Sequence, residues 1–223
     1  FNSRWSPVVR RQLEHCLASF PWLGLCFLPL LLIAWFGGDQ SGILWSWINA
    51  QNETFDPIKQ ITVGEDVLYQ KKSGYLNLYF FSLRMILYFG IFCGLSHWLR
   101  KVSFSQDLDG NPEWTRKGLK VSAIGIPAAA LALTFGAFDL FMSLEYQWFS
   151  TMYGVWFFSS AIRASLAVTI LICIYMSAEG RLKGLYKQAH QYDLGCLSLA
   201  FTVFWAYISF SQYFLIYLSL IHI

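Results

Sequence analysis

Residues 121–142, with the sequence VSAIGIPAAALALTFGAFDLFM, decide the class of fold. As an α-helix this stretch is about 33 Å long, since each residue adds about 1.5 Å, and the hydrocarbon core of a bilayer is about 30 Å thick. Asp139 is its one charged residue, and basic residues precede it at positions 116, 117 and 120. The stretch therefore predicts a membrane-spanning helix that carries an acidic side chain near its end.

Four more apolar stretches extend this prediction over the chain. They cover residues 17–36, 75–99, 152–177 and 194–220. The 223-residue chain is 56% hydrophobic and 13% charged, with a mean hydropathy of +0.45, whereas about a quarter of the residues of an average soluble domain are charged. These values exclude a water-soluble globule. We predict an all-α fold, a polytopic membrane helical bundle of about five transmembrane helices that forms a single domain over residues 1–223.

The uneven distribution of basic residues predicts the orientation. Eleven of the sixteen lysine and arginine residues lie before the first span, between the second and third spans, or between the fourth and fifth. By the positive-inside rule these segments and the N-terminus are cytoplasmic. Residues 39–74, with Lys59, Lys71 and Lys72, then face outward and are expected to form short interfacial elements. The net charge of +3, without a basic stripe, argues against nucleic acid and leaves membrane lipid as the expected surroundings.

Four charged residues lie in or beside the spans. Arg84 is nine residues into the second span, roughly 13 Å deep, and Arg163 is near the middle of the fourth. Asp139 lies close to the outer end of the third span, and Glu145 follows at the outer turn. An intramembrane charge costs about 2.5–3.5 kcal/mol on insertion scales and marks functional paths. Arg84 and Asp139 form either a structural ion pair between two helices or part of a polar path for protons or a headgroup.

The fifth span carries its own polar residues, of which Ser209 and Gln212 share a helix face because they are three residues apart. The set is Thr202, Tyr207, Ser209, Ser211 and Gln212. It predicts hydrogen bonds between helices, and the alternative is a proton wire or a quinone contact.

Small residues cluster in the third span. The cluster is Ala123, Gly125, Ala128, Ala129, Ala130, Ala132 and Gly136. Small side chains allow the backbones of two membrane helices to approach closely, so we expect a tight contact between the third span and a neighbouring helix.

The cysteines and histidines predict no redox or metal ligands in this chain. The five cysteines show neither CxxC nor CxxCH spacing, and the four histidines lie near helix ends or in loops. A membrane haem usually needs histidines that face each other across a helix pair. We therefore expect no cofactor and no metal to be bound by this chain.

Several short sequence segments resemble those of a known protein family. They are FDLFMSLE at 138–145 with WFSTMYG at 148–154, HQYDLG at 190–195 with FTVFWAYISFSQY at 201–213, and YLN at 75–77 followed by Arg84 and Tyr88. They are similar to the membrane subunits of the bacterial quinol:cytochrome c oxidoreductase called alternative complex III, and look closest to its ActF-like subunit, a relative of NrfD and polysulfide-reductase membrane anchors. The family has Pro-His at the positions of Tyr146 and Gln147, so a histidine relay beside Glu145 is not expected.

The resemblance implies a subunit of about ten helices in a bacterial inner-membrane complex that oxidises quinol. An NrfD-like membrane subunit, a multihaem cytochrome c and an iron–sulfur protein would be its partners, with haem c and the clusters in those partners and quinol bound in the complex. Because the chain starts at Phe1 and its fifth span reaches the end, we expect a fragment. The ending after residue 216 does not match the family, and His222 is expected to have no function.

Three functional hypotheses follow. In the first, the chain is a subunit of the oxidoreductase without redox ligands of its own and contributes a proton path through Asp139, Glu145, Arg84, Tyr207 and Gln212. In the second, it is a secondary transporter in which Arg84 and Arg163 bind an anion. In the third, it is a purely structural membrane anchor. Arg163 has no assigned role in the first and third.

Overall fold

Helices long enough to cross a membrane form the architecture, as the sequence predicts. The computed structural model describes residues 6–56, 61–182 and 185–221. Its helices are α1 (Ser6–Cys16), α2 (Phe20–Phe36), α3 (Val67–Lys72), α4 (Leu78–Asp109), α5 (Glu113–Leu140), α6 (Tyr153–Ala178) and α7 (Gln188–Ile221). Over this part of the chain, five helical stretches are long and apolar enough to span a bilayer. The predicted all-α multi-pass membrane fold with five spans is confirmed.

Several spans extend further than their apolar residues. The second span was predicted to end at residue 99, but α4 continues to Asp109, where Gly110 adopts a φ of +61° and its N–H donates to the Gln106 carbonyl at 2.9 Å. Glycine populates this left-handed conformation without steric cost and ends helices in this way. Hydropathy marks only the part of a helix that lies in lipid, so the polar ends of α4, α5 and α7 were missed.

The segment between the first two spans consists of short elements, as expected. It contains 3₁₀ turns at Gly38–Gln40, Ser46–Asn49 and Val63–Glu65. A two-stranded antiparallel ribbon pairs β1 (Thr54–Asp56) with β2 (Ile61–Thr62). Arg4, Lys59, Lys183 and His222, which enter the sequence analysis, lie outside the described residues.

The contacts divide the chain into two compact units, residues 19–151 and residues 1–18 with 152–223. In the unit of residues 19–151, α4 packs against both α2 and α5. Phe20 stacks on Phe92 with 5.3 Å between ring centroids, and Trp45 and Trp47 of the connecting segment bury their indole rings against Phe81 of α4. The connecting segment is thereby held to the helices by aromatic packing.

Close packing between α4 and α5 depends on a small residue, as predicted. A Cβ added to Gly125 of α5 would lie 2.8 Å from Leu95 Cδ2 of α4, which is closer than side-chain atoms normally approach. Gly125 is buried, as are Ala132, Gly136 and Ala137 of the same helix. The absence of a side chain at Gly125 therefore lets the two helices touch.

The other unit consists of α1, α6 and α7. Its buried core is formed by Val9, Leu166, Cys173 and Leu194. Trp156 Nε1 donates a hydrogen bond to Ser209 Oγ at 2.8 Å, and Arg163 contacts Trp205, so α6 and α7 run antiparallel. At the far end of α6, Gln12 Nε2 of α1 contacts Met176 Sδ at 3.6 Å.

The helix faces that are exposed at the surface of each unit are apolar. In α2, for example, Trp22, Leu25 and Phe36 are more than half exposed. Large exposed apolar surfaces are rare on soluble monomers. These faces are suited to contact with membrane lipid.

We expect Gly125→Leu to separate α4 from α5 and to lower the free energy of unfolding by about 1–3 kcal/mol relative to Gly94→Leu, the usual range for overpacking. Both changes replace a helical glycine, but a Cβ at Gly94 meets no atom within 4 Å. Thermal unfolding of the two variants in the same detergent measures the difference. Equal stabilities would show that the Gly125 contact does not constrain the helix pair.

Candidate functional site

The predicted ion pair between Arg84 and Asp139 is present and buried. Arg84 Nε lies 2.7 Å from Asp139 Oδ2, and Arg84 Nη2 lies 3.0 Å from Asp139 Oδ1. The exposed fraction of each residue is small, 7% for Arg84 and 0% for Asp139. The planar guanidinium thus binds both carboxylate oxygens, the geometry that gives a strong and directional ion pair.

Three aromatic residues complete the surroundings of this pair. The Arg84 guanidinium carbon lies 3.8 Å from the centroid of the Tyr75 ring and 4.3 Å from that of Phe80. Arg84 Nη1 donates to the Tyr75 carbonyl at 3.1 Å, and the Tyr88 hydroxyl donates to Asp139 Oδ2 at 2.8 Å. We call these five residues the Arg84 cluster.

Local sequence explains how the cluster forms. The Asn77 side chain accepts a hydrogen bond from the backbone N–H of Phe80 at 2.8 Å and caps the start of α4, so Tyr75 lies just before the helix. Tyr88 follows Arg84 by four residues and therefore shares its helix face. Asp139 lies one residue before the end of α5, where Ser143 Oγ donates to its carbonyl.

Burial raises the pKa of the Tyr75 phenol above its ordinary value, and the negative charge of Asp139 raises it further. A phenol is already protonated at neutral pH with its ordinary pKa of 10, and the raised pKa keeps it so. It contributes a neutral aromatic face to Arg84, and the negative charge in the cluster comes from Asp139.

The contacts of Asp139 limit what it can do chemically. Its two oxygens already accept hydrogen bonds from Arg84 and Tyr88. A proton on the carboxylate would remove the charge that holds the guanidinium. Proton transfer at Asp139 would therefore weaken its contact with Arg84, whereas a structural role keeps the charged pair intact.

Glu145 lies apart from the Arg84 cluster, at the end of the 3₁₀ turn Met142–Glu145, and it is exposed. The next residue, Tyr146, is buried, and its carbonyl accepts a hydrogen bond from Lys72 Nζ at 2.5 Å. Burial raises the pKa of the Tyr146 phenol. Tyr146 thus anchors the turn by packing and by this backbone contact.

The two remaining residues of the predicted path, Tyr207 and Gln212, belong to the other compact unit. Tyr207 is 68% exposed. Of the polar residues on α7, Ser209 joins two helices: its hydroxyl accepts from Trp156 Nε1 and donates to the Trp205 carbonyl, both at 2.8 Å. The predicted use of this polar set for interhelical hydrogen bonding is confirmed at Ser209.

Arg163 lies within α6, and its guanidinium carbon is 4.3 Å from the centroid of the Trp205 ring. It forms neither an ion pair nor a hydrogen bond with the described residues of its own unit. Trp205 Nε1 is buried, and it also has no hydrogen-bond partner in this part of the structure.

Two features of the described residues bear on bound groups. Within the described residues, no three histidine, cysteine or acidic side chains come together as metal ligands. A groove of about 310 Å³ lies between α4 and α5, and its walls are almost entirely apolar. It is lined by Leu95, Trp98, Lys117, Lys120, Val121 and Ile124. In size and polarity the groove suits a hydrocarbon chain.

Sequence reasoning had identified Arg84 and Asp139 but not the whole cluster. The four-residue spacing between Arg84 and Tyr88 was a signal that could have placed Tyr88 in it. Phe80, four residues before Arg84 in α4, has the same spacing, whereas Tyr75 gives no such signal because it precedes the helix.

Comparison with known proteins does not identify the chain: no family model matches it, and no curated protein does.

We expect Asp139→Asn to lower the free energy of unfolding by about 3–5 kcal/mol, because it leaves the Arg84 charge buried without a partner. The double variant Arg84→Met with Asp139→Leu should lose much less, since it removes both charges and keeps apolar volume. Unfolding of the three proteins in the same detergent measures the difference. A double variant as unstable as the single one would contradict a structural role for the pair.

Proposed function

We propose that the chain is an integral membrane subunit of a bacterial quinol:cytochrome c oxidoreductase of the alternative complex III type, in the inner membrane. One observation carries the proposal. Residues from two separate strings of the resemblance, Tyr75, Arg84 and Tyr88 in one and Asp139 in the other, meet in the Arg84 cluster. The two sequence segments therefore contribute residues to the same site, because together they enclose one buried charge pair.

In this proposal the direct role of the subunit is to form a rigid part of the membrane scaffold. Electrons from quinol leave through partner subunits, namely a multihaem cytochrome c and an iron–sulfur protein, beside an NrfD-like membrane subunit. The ion pair supports the role because it joins α4 to α5 at 2.7 and 3.0 Å with both charges neutralised. The apolar groove beside Leu95 and Trp98 offers a place for a quinone or lipid tail.

The proton path through Asp139, Glu145, Arg84, Tyr207 and Gln212 is a second hypothesis for the same complex. In this hypothesis the carboxylates accept and release protons, Arg84 keeps Asp139 ionised, and the hydroxyl and amide groups bridge waters. Arg84 and Asp139 lie where charge is expensive. Hydrogen bonds from Arg84 and Tyr88 to both Asp139 oxygens favour the scaffold role over this path.

The anion-transporter hypothesis requires both Arg84 and Arg163 to bind the substrate, but Arg84 is already paired. The Arg84 guanidinium binds Asp139 with two nitrogens and the Tyr75 carbonyl with the third. Asp139 already neutralises the Arg84 charge, and only one N–H on each of Nη1 and Nη2 is left, so Arg163 would have to supply the positive charge for the anion.

The proposal is tested by purifying the tagged chain from its native membranes. We expect co-purification with haem c and iron–sulfur subunits and with quinol:cytochrome c oxidoreductase activity. Asp139→Asn should lower the amount of assembled complex and leave the turnover of each complex nearly unchanged. Tyr79→Phe, at an exposed position of α4, is the control.

Two results would change this assignment. A chain that purifies without any haem protein would contradict the proposed complex. A fall of about a hundredfold in turnover per assembled Asp139→Asn complex would instead favour the proton path, because positioned proton-transfer groups contribute at least this much.

The orientation stays a prediction from the positive-inside rule, and cysteine labelling tests it. In a variant whose native cysteines are serine, we expect Asn52→Cys to react in intact cells with a membrane-impermeant maleimide. Leu108→Cys should react only after the membrane is opened. Both positions are exposed, so the reverse pattern would mean that the N-terminus faces outward.

A further inference from the structure

Arg163 lies near the middle of the membrane-spanning helix α6, and it contacts the middle of α7. It is ten residues after Tyr153, the first residue of α6, and thus about 15 Å along the helix. Its partner Trp205 is 17 residues after the start of the 34-residue α7. Because the guanidinium carbon is 4.3 Å from the Trp205 ring, the charge is held at this depth and does not extend toward the membrane surface.

No carboxylate in the described part of this unit reaches that depth. Helix α6 contains neither Asp nor Glu, and the single acidic residue of α7, Asp193, is twelve residues from Trp205, or about 18 Å along the axis. Glu179 lies beyond the end of α6 and pairs with Arg181 at 2.8 Å. Glu14 of α1 pairs with Arg10 and Arg11.

Arg163 therefore presents hydrogen-bond donors without acceptors at this depth. The guanidinium of arginine is always charged and carries several N–H groups, and Arg163 makes no hydrogen bond or ion pair within the described residues of its unit. Trp205 Nε1 also finds no acceptor in this region, but it is buried within the unit, so Trp205 positions the guanidinium with its ring and does not itself bind the partner. A carboxylate is the complementary group, since it neutralises the charge and accepts two hydrogen bonds at once.

The surface beside Arg163 allows a helix to come close. Ser160, Ala164 and Ala167, at positions −3, +1 and +4 from Arg163, have small side chains, and both alanines are exposed. Small residues flanking a polar one are the usual composition of contacts between membrane helices.

We propose that Arg163, positioned by Trp205, forms a docking site for a transmembrane helix of another polypeptide, which supplies an Asp or Glu carboxylate at the middle of the bilayer. A lipid phosphate is a poorer candidate because it lies at the edge of a hydrocarbon core about 30 Å thick, while Trp205 holds the guanidinium near mid-length. The site requires a partner helix and does not rest on the proposed oxidoreductase activity.

The test places a photo-crosslinking amino acid at Ala167 in the full chain, expressed in its native membranes. Ser165 is the control, because it is two residues away, is also exposed and points about 160° away from Ala167 on the helix. We expect the Ala167 probe to give an adduct with one transmembrane segment that contains Asp or Glu, and the Ser165 probe to give none with that segment. Arg163→Gln should lower the Ala167 adduct by about tenfold or more, as for other buried charge pairs.

A charge exchange then identifies the contact. Arg163→Asp should abolish the adduct, and replacing the acidic residue of the captured segment by arginine should restore it. The proposal is wrong if the Ala167 probe captures nothing, captures only phospholipid, or captures residues 19–151 of this chain. It is equally wrong if the captured segment has no acidic residue, or if Arg163→Gln leaves the yield unchanged.

Discussion

A buried charge needs a countercharge and hydrogen-bond acceptors, and the arrangement of α4 and α5 depends on this constraint. Arg84 and Asp139 are both buried, so neither is stable in its charged form without the other. The bidentate contact requires the two side chains to meet at one depth. It therefore sets how far α4 can slide along α5, which apolar packing alone constrains weakly because apolar contacts have no direction.

The same constraint has a different outcome at Arg163. Arg84 finds a carboxylate on the next helix, whereas Arg163 finds an aromatic ring and no carboxylate at its depth within the described part of its unit. A cation over an indole ring gains some attraction, but its N–H groups still need acceptors. One arginine thus stabilises the interior of its unit, and the other makes its surface specific for an acidic partner.

The sequence predicts some parts of this structure and not others. The five spans were predictable because 20 or so apolar residues have no stable place in water. The end of α4 was not, because residues 100–109 are mostly polar and Gly110 ends the helix by its backbone conformation. In the Arg84 cluster, two opposite charges in apolar spans indicated a pair, and helix periodicity could have added Tyr88. The position of Tyr75 depends on the turn before Asn77, which no periodic pattern describes.

The sequence by itself determined the all-α membrane class, the number of spans and the intramembrane residues Arg84, Asp139 and Arg163, because hydropathy and charge are properties of each residue. The tertiary structure alone decided which of these charges is neutralised. Ion pairing depends on distances between residues far apart in the chain, and Arg84 and Asp139 are separated by 55 positions yet lie 2.7 Å apart. Arg163 is equally visible in the sequence, and only the packing of α6 against α7 shows that Trp205, rather than a carboxylate, is its neighbour.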